Sequence, residues 1–442
     1  MVRAKTLEEA ERYFDPRPLD FSEENPKGAK IATNRAFYTP PPEQTEEGRK
    51  LPGPIEQIRR RLLSGTSDTK LFLSGHVGSG KSTELSRLAM NRTLREKFSV
   101  AMLRFEGQES ATLDSAQIRF RIAALIYEEY KDKLQQRDRW EKVFVDLSER
   151  IFTETGIKAK EGSVGVELNV LLLKIRQELK FSEKARISFR AIGETQQSIL
   201  QDLIAGLVDD AEEALAKEDP PLQLLVIVDD LDKVRGPEQQ KEIFDTNLST
   251  LLALPLRILY TLPTGVSFGE NRADVRANVE HLYPVRVLRK APDTYDPEQA
   301  YLDERIGFFH ALVEHRVEPQ LVEPEAIRLA VIHSGGVLRD FFRLLREGIR
   351  LATYNSLGVL DVVAMRLALK DVRLKESMGL YGPDKDALVA VHKTNELSSA
   401  DDRRFLDLSR VIESYNGQPW FDANPLLWPM LEEHSKKNAP RA

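Results

Sequence analysis

The sequence predicts an α/β fold built on a parallel sheet, and three observations predict it. Leu71-Phe72-Leu73 is an apolar run that ends in Gly75-His76-Val77-Gly78-Ser79-Gly80 and opens into a helix-like segment from Glu84 to Met90. Ser99–Phe105 and Leu224–Val228 are two more short runs of the kind that fill a sheet covered on both faces. The second delivers carboxylates, Asp229-Asp230-Leu231-Asp232, at the strand end where open α/β sheets bind ligands.

The glycine run completes G-x-x-x-x-G-K-[ST], with a strand before it and a helix after it, the context that confirms a P-loop. Glycines let the backbone wrap phosphate oxygens, and successive N–H groups at a helix N-terminus form an anion-binding concavity. Gly75, His76, Val77, Gly78, Ser79, Gly80, Lys81, Ser82 and Thr83 are therefore the candidate nucleotide cradle. In this pattern Lys81 reaches the β- and γ-phosphates and the Ser82 hydroxyl takes a place on Mg2+. Asp229 is placed to hold the hydrated Mg2+, and Asp230 is the candidate to polarise the attacking water. Asp232 supports either role or caps the following helix.

A third strand, Leu256–Thr261, ends in a polar residue before Pro263, so Thr261 is the candidate to hold the lytic water or contact the γ-phosphate, with Thr264 in reserve. A last core strand is expected over His281–Leu288. Between the two, Arg272 and Arg276 lie one helical turn apart. Either could project across a subunit interface as an arginine finger; the bland alternative is a solvated side chain.

At 442 residues the chain suggests roughly two to four domains. Residues 1–54 read as an irregular Pro-rich leader after one short helix near Leu7–Phe14. Phe37 or Tyr38 could lie over a nucleotide base, or the leader is a plain linker. Residues 55–295 read as the P-loop core. Lys81 and Asp229 are 148 positions apart, generous for such a core, so a helical insertion is expected at about 114–217, with a hairpin-like patch at Val164–Val170. Residues 296–380 read as a helical lid and 381–442 as a small winged-helix-like domain. In the latter, Asn416-Gly417 between apolar runs is a strong hairpin signal, and Trp420 and Trp428 are core candidates.

Composition excludes several classes. No cysteine means no disulfide, thiol chemistry or cysteine-ligated zinc, and the seven histidines show no metal-ligand spacing. The N-terminus has no apolar h-region, and the longest aliphatic run, Leu224–Val228, is far too short to span a bilayer. A cytoplasmic protein without a membrane partner is expected. The net charge of −6 does not advertise nucleic-acid binding.

These motifs resemble the AAA+ and STAND branch of P-loop ATPases, including origin-recognition (Cdc6-like) and NLR-type signalling ATPases. The likeness is carried by Gly75–Thr83, Val226–Asp232, the strand end at Thr261, and Ser334-Gly335-Gly336-Val337-Leu338-Arg339-Asp340; it spans roughly residues 55–372. The last stretch is similar to the family's sensor 2, which makes Arg339 the residue that would contact the γ-phosphate. The resemblance implies an ASCE/AAA+ type P-loop fold with lid and winged-helix-like domain, ATP and Mg2+ as cofactors, and slow or partner-regulated hydrolysis involving Asp230, Lys81, Thr261 and Arg339. Asp229-Asp230, where many AAA+ proteins have Asp-Glu, is closer to the STAND pattern and favours a slow switch. No effector or repeat sensor is visible, so a separate effector or sensor protein is expected, with homo-oligomerisation and a bacterial defence setting as further implications. No guanine-reading N-K-x-D stretch is apparent.

Arg339, Arg343, Arg346 and Arg350 fall on one helical face. That face is either solvated or meets an acidic partner or a nucleic-acid backbone. It keeps open the alternative of a nucleic-acid-associated ATPase, and a scaffold that holds nucleotide without hydrolysis is a third class.

Overall fold

The computed structural model describes residues 3–21, 34–46, 49–105, 110, 112–155, 197–269, 273–399 and 401–438, with scattered positions between 172 and 190. Five strands form its central sheet: β1 (Lys70–Ser74), β2 (Phe98–Leu103), β3 (Gln223–Val228), β4 (Arg257–Leu262) and β5 (Val279–His281). Their order is β2-β3-β4-β1-β5, and every ladder is parallel. The P-loop strand β1 and the acid-bearing strand β3 are thus separated by β4. This is an α/β P-loop fold, in the arrangement that an ASCE/AAA+ type requires.

Strand periodicity explains why the core strands are apolar throughout. Leu224, Val226 and Val228 point to one face with Phe72, Ala101 and Ile258, beneath α4 (Ser115–Tyr130) and α6 (Gln197–Leu215). Leu225 and Ile227 point to the other with Leu71, Leu73 and Leu259, beneath α2 (Pro54–Ser64) and α3 (Lys81–Ala89). The region read as an insertion therefore supplies two helices that lie directly on the sheet. Between them runs α5 (Arg137–Thr155), pinned where Asp210 accepts from the Trp140 indole at 2.8 Å and from the Gln135 and Gln136 backbone N–H groups. The patch Val164–Val170 lies outside the described residues.

Helix α1 (Leu7–Tyr13) occupies the segment where a leader helix is expected; Thr6 caps it by accepting from the Glu9 N–H. It packs on the helices of the segment read as a lid, α7 (Ile306–Glu314), α8 (Pro324–Ser334), α9 (Leu338–Tyr354) and α10 (Val362–Ser377), which share an apolar core. Beyond it, α11 (Gly382–Thr394), the antiparallel hairpin β6 (Val411–Tyr415) and β7 (Pro419–Ala423), and α12 (Trp428–Asn438) complete the chain. Gly417 turns that hairpin with φ 93°, and Trp428 is fully buried. His392 bridges this unit to the start of the lid, with Nδ1 2.7 Å from Asp422 and Nε2 3.0 Å from the Thr294 carbonyl.

The last sheet strand is not where His281–Leu288 placed it: it spans Val279–His281, and only His281 is common to both. Its ladder ends at His281, and residues 282–285 instead cross between P-loop and lid. The Leu282 N–H donates to the Ser74 carbonyl at 2.8 Å, and the Val285 carbonyl faces Gly336. Gly336 has φ 81°, and a Cβ there would sit 1.7 Å from that carbonyl oxygen. Gly336→Ala is therefore expected to destabilise the protein by at least about 1–3 kcal/mol, the left-handed backbone term alone, before any displacement of the 282–285 crossing. Chemical unfolding of the variant checks this. Among the described residues no helix is long and apolar enough to cross a membrane.

Candidate nucleotide site

The P-loop closes at the N-terminus of α3, where Gly80 is left-handed at φ 103° and immediately precedes Lys81. Gly78 is left-handed as well, at φ 97°, and it is pressed against the lid: a Cβ on it would stand 2.5 Å from the Arg339 Cβ. The Arg339 N–H donates to the Gly78 carbonyl at 3.2 Å. Lid helix and phosphate loop are therefore in direct contact. His76 is fully buried and pushed down to about 3, by burial first and then by Lys81, so its ring is neutral.

Lys81 is almost wholly enclosed. Its ammonium donates to the Gly75 carbonyl at 2.5 Å and the His76 carbonyl at 3.0 Å, and lies 2.8 Å from an Asp232 oxygen. Those three partners use all of its donors. Asp229, Asp230 and Asp232 converge, with one carboxylate oxygen from each within 4.8 Å of the others. Asp229 Oδ1 accepts from the Asp230 N–H at 2.8 Å, while Asp229 Oδ2 and Asp232 Oδ1 are buried with no hydrogen-bond partner among the described residues. Burial pushes the Asp229 carboxyl up, and Asp230 and Asp232 push it further; the Ser82 hydroxyl opposes the shift. Asp230 is also shifted up by burial, against the pull of Lys233, its ion-pair partner. Two orphaned oxygens in a cluster of hard donors fit a divalent cation such as Mg2+, which binds through one or two carboxylates, waters and substrate phosphates.

Thr261 is fully buried, accepting from the Leu231 N–H at 2.9 Å and donating to the Val228 carbonyl at 3.4 Å. Its hydroxyl thus fixes the backbone that presents the three carboxylates. Thr264 is buried too, and its hydroxyl has no partner among the described residues. Arg339 lines the cavity beside the P-loop; burial lowers its basicity, and Asp340 and Asp232 partly restore it.

The leader closes the other wall of that cavity. Pro18, Phe37 and Tyr38 line it. The Leu19 N–H donates to the Thr83 hydroxyl at 3.0 Å and the Phe21 N–H to the Ser86 hydroxyl at 2.8 Å, while the Tyr38 hydroxyl donates to Glu84 at 2.9 Å. Sequence reading missed Arg316, which also lines the cavity. Its guanidinium lies 4.9 Å from the Phe37 ring centre and 4.6 Å from that of Phe342, and it donates to the Phe37 and Leu312 carbonyls. Burial pushes it down to about 9, and among the described residues it has no carboxylate partner. No local motif marks it.

Arg276 is exposed on a short helix away from this cavity, and Arg272 lies outside the described residues. The lid arginines meet acids of their own chain: Arg343 pairs with Glu376, Arg346 with Glu11 and Arg350 with Glu347.

Several buried carboxyls make stability pH-dependent. Burial pushes Asp114, Asp340 and Asp422 up to about 6 and Glu413 up to about 8. A carboxyl raised by folding holds its proton more tightly in the native chain, so its contribution is complete below roughly pH 4 and is lost as pH rises through the folded value. The urea midpoint is therefore expected to fall between about pH 5 and about pH 8, and Glu413→Gln should flatten the upper part of that slope.

No family model matches the chain, and no curated protein matches it. Fold and site together define a P-loop NTPase: a parallel sheet with the phosphate loop and the acid-bearing strand on either side of a third. Among solved structures its neighbours are AAA+ ATPases of the Cdc6/ORC type. The ORC2 protein of Aeropyrum pernix, in ADPNP–ADP complexes, shares 15% identity over 91% of this chain and 96% of its own, with a TM-score of 0.40. Cdc6p of Pyrobaculum aerophilum shares 12% over 92% and 99%, at 0.37, and the Walker-type ATPase PABY2304 of Pyrococcus abyssi 13% over 90% and 99%, at 0.39. At such scores the fold assignment rests on the sheet order and the phosphate loop themselves.

Proposed function

We propose that this protein binds ATP with Mg2+ between core and lid and hydrolyses it slowly, acting as a nucleotide-controlled switch or oligomerising regulator of a separate effector or sensor protein. The observation that carries this reading is the placement of Lys81, held by a glycine loop at 2.8 Å from Asp232, beside two further buried carboxylates and under a lid arginine. Lys81 would exchange Asp232 for phosphate oxygens. Ser82 and Asp229 would hold Mg2+, which when bound neutralises phosphate charge. Asp230 would orient the attacking water, Thr261 would keep the acid loop in place, and Arg339 would meet the γ-phosphate from the lid side. The bacterial defence and cytoplasmic settings rest on the sequence resemblance and composition alone.

One observation favours the alternative, a nucleic-acid-associated ATPase. A groove between core and C-terminal unit is lined by Arg235, Lys241, Arg276, Arg403 and Arg404, although Asp245, Asp401 and Asp407 share it. Titration with ATP and GTP, with and without Mg2+, alongside phosphate release in the presence and absence of DNA, tests both. Saturable, Mg2+-dependent ATP binding supports the main reading, and its absence removes it. ATPase stimulation by DNA that falls steeply with salt would favour the alternative.

A further inference from the structure

One buried cation has no part in the phosphate machinery described above. Arg316 lies just past α7 and is 3% exposed, yet it lines the cavity beside the P-loop. Nη1 is spent on the fold, donating to the Phe37 carbonyl at 3.0 Å and to the Leu312 carbonyl at 2.9 Å. The Phe37 and Phe342 rings pack against the guanidinium, with centres 4.9 and 4.6 Å away. Nε and Nη2, which share one edge of the planar group, have no hydrogen-bond partner among the described residues. Buried donors are ordinarily satisfied, because an unmade bond in the interior costs free energy. A ligand filling the cavity would satisfy this edge.

The surroundings decide which part of a nucleotide meets it. Lys81 and Arg339 already serve the phosphate end, where the Arg339 N–H donates to the Gly78 carbonyl. Arg316 belongs to the wall to which the leader is fastened. The Ala4 N–H donates to the Arg316 carbonyl at 2.8 Å, and the Thr39 hydroxyl lies 3.0 Å from His315 Nδ1. Tyr38, next to Phe37, reaches Glu84, one turn into α3 and beyond the loop residues that cradle phosphate. Phe308, Leu312 and Phe342 line the same cavity. An apolar wall with a few placed donors suits a planar heteroaromatic ring better than a hydrated polyanion. In agreement, burial alone moves the basicity of Arg316, whereas Asp232 of the acid cluster acts on Arg339.

We propose that Arg316 is a specificity-determining residue of the nucleotide site, donating from its free edge to a ring nitrogen of the purine base. This rests on the reading of the cavity as an ATP site. A guanidinium has donors and no acceptor, so it rewards N1, N3 or N7 and is mismatched to an exocyclic amino group. Because the same side chain holds the leader through the Phe37 carbonyl, base recognition and closure of the leader wall meet in one residue.

The test uses the full chain. The Mg2+ complexes of ATP, of ATP analogues in which N1, N3 or N7 is replaced by carbon, and of tripolyphosphate are titrated into the wild type and Arg316→Met. The wild type should bind one of the analogues roughly 10- to 100-fold more weakly than ATP, the usual worth of a hydrogen bond to a charged group. Arg316→Met should lose the same factor for ATP, no longer distinguish ATP from that analogue, and hold tripolyphosphate as the wild type does. The analogue series on the wild type needs no variant, so it decides the matter if Arg316→Met fails to fold. Equal affinity of the wild type for ATP and every analogue overturns the proposal while leaving the ATP site intact. So does a variant that weakens tripolyphosphate as much as ATP. A wild type that binds neither ATP nor tripolyphosphate overturns both readings.

Discussion

Lys81→Ala is expected to lose nucleotide and also about 3–5 kcal/mol of folding stability, the usual consequence of removing one partner from a buried ion pair. The Lys81 side chain is 3% exposed and that of Asp232 8%. Without the ammonium, Asp232 would stand beside Asp229 and Asp230 with neither oxygen paired to a cation. Loss of a charge-assisted contact worth about 2–3 kcal/mol should lower ATP affinity by roughly 30- to 150-fold. The two effects separate in a double-mutant cycle. Lys81→Ala with Asp232→Asn should recover much of the stability, because no buried charge is left unpaired, yet it should not recover binding. Chemical unfolding and ATP titration of the four chains measure both. Additive stability losses would mean that Lys81 and Asp232 are not coupled in the nucleotide-free protein.

That pair shows why some of the site was legible in the sequence and some was not. The phosphate loop and the acid strand end are each written in contiguous residues, where glycine, lysine and carboxylate occur at spacings dictated by local backbone geometry. Their pairing depends on how β1 and β3 are brought together across β4, which no local pattern encodes. Arg316 is harder still, a single charged residue whose meaning comes from distant elements, the Phe37 ring of the leader and the Phe342 ring of α9. The lid arginines were legible as a stripe by helical period, but their acids arrive from α10, from α1 and from three residues earlier on α9 itself. The sequence suggests a last core strand over His281–Leu288. The chain leaves the ladder after His281 because Gly75 and Gly336 admit the backbone carbonyls of Leu282 and Val285 at distances no Cβ would tolerate.

Asp230→Asn should slow ATP turnover by roughly 10²- to 10⁴-fold, the range for loss of a positioned general base, while leaving ATP affinity close to that of the wild type. The substitution is well matched to its site. Asp230 has φ 72°, a left-handed conformation that asparagine tolerates better than most residues, so no backbone strain is added. The lost ion pair with Lys233 is minor, since that lysine side chain is 35% exposed. Removing one charge from three crowded carboxylates should leave stability unchanged or raise it, so a fall in turnover would not reflect unfolding. The same variant, held in its ATP-bound form, decides between modes of action through its solution mass with and without Mg·ATP. A shift to a defined higher oligomer would indicate an assembling machine and make Arg276 the next residue to replace. Unchanged mass with ATP bound would indicate a switch that works within one chain or a constitutive complex. Turnover at the wild-type rate would move water activation away from Asp230, and Thr264, whose hydroxyl has no partner among the described residues, would be the next residue to test.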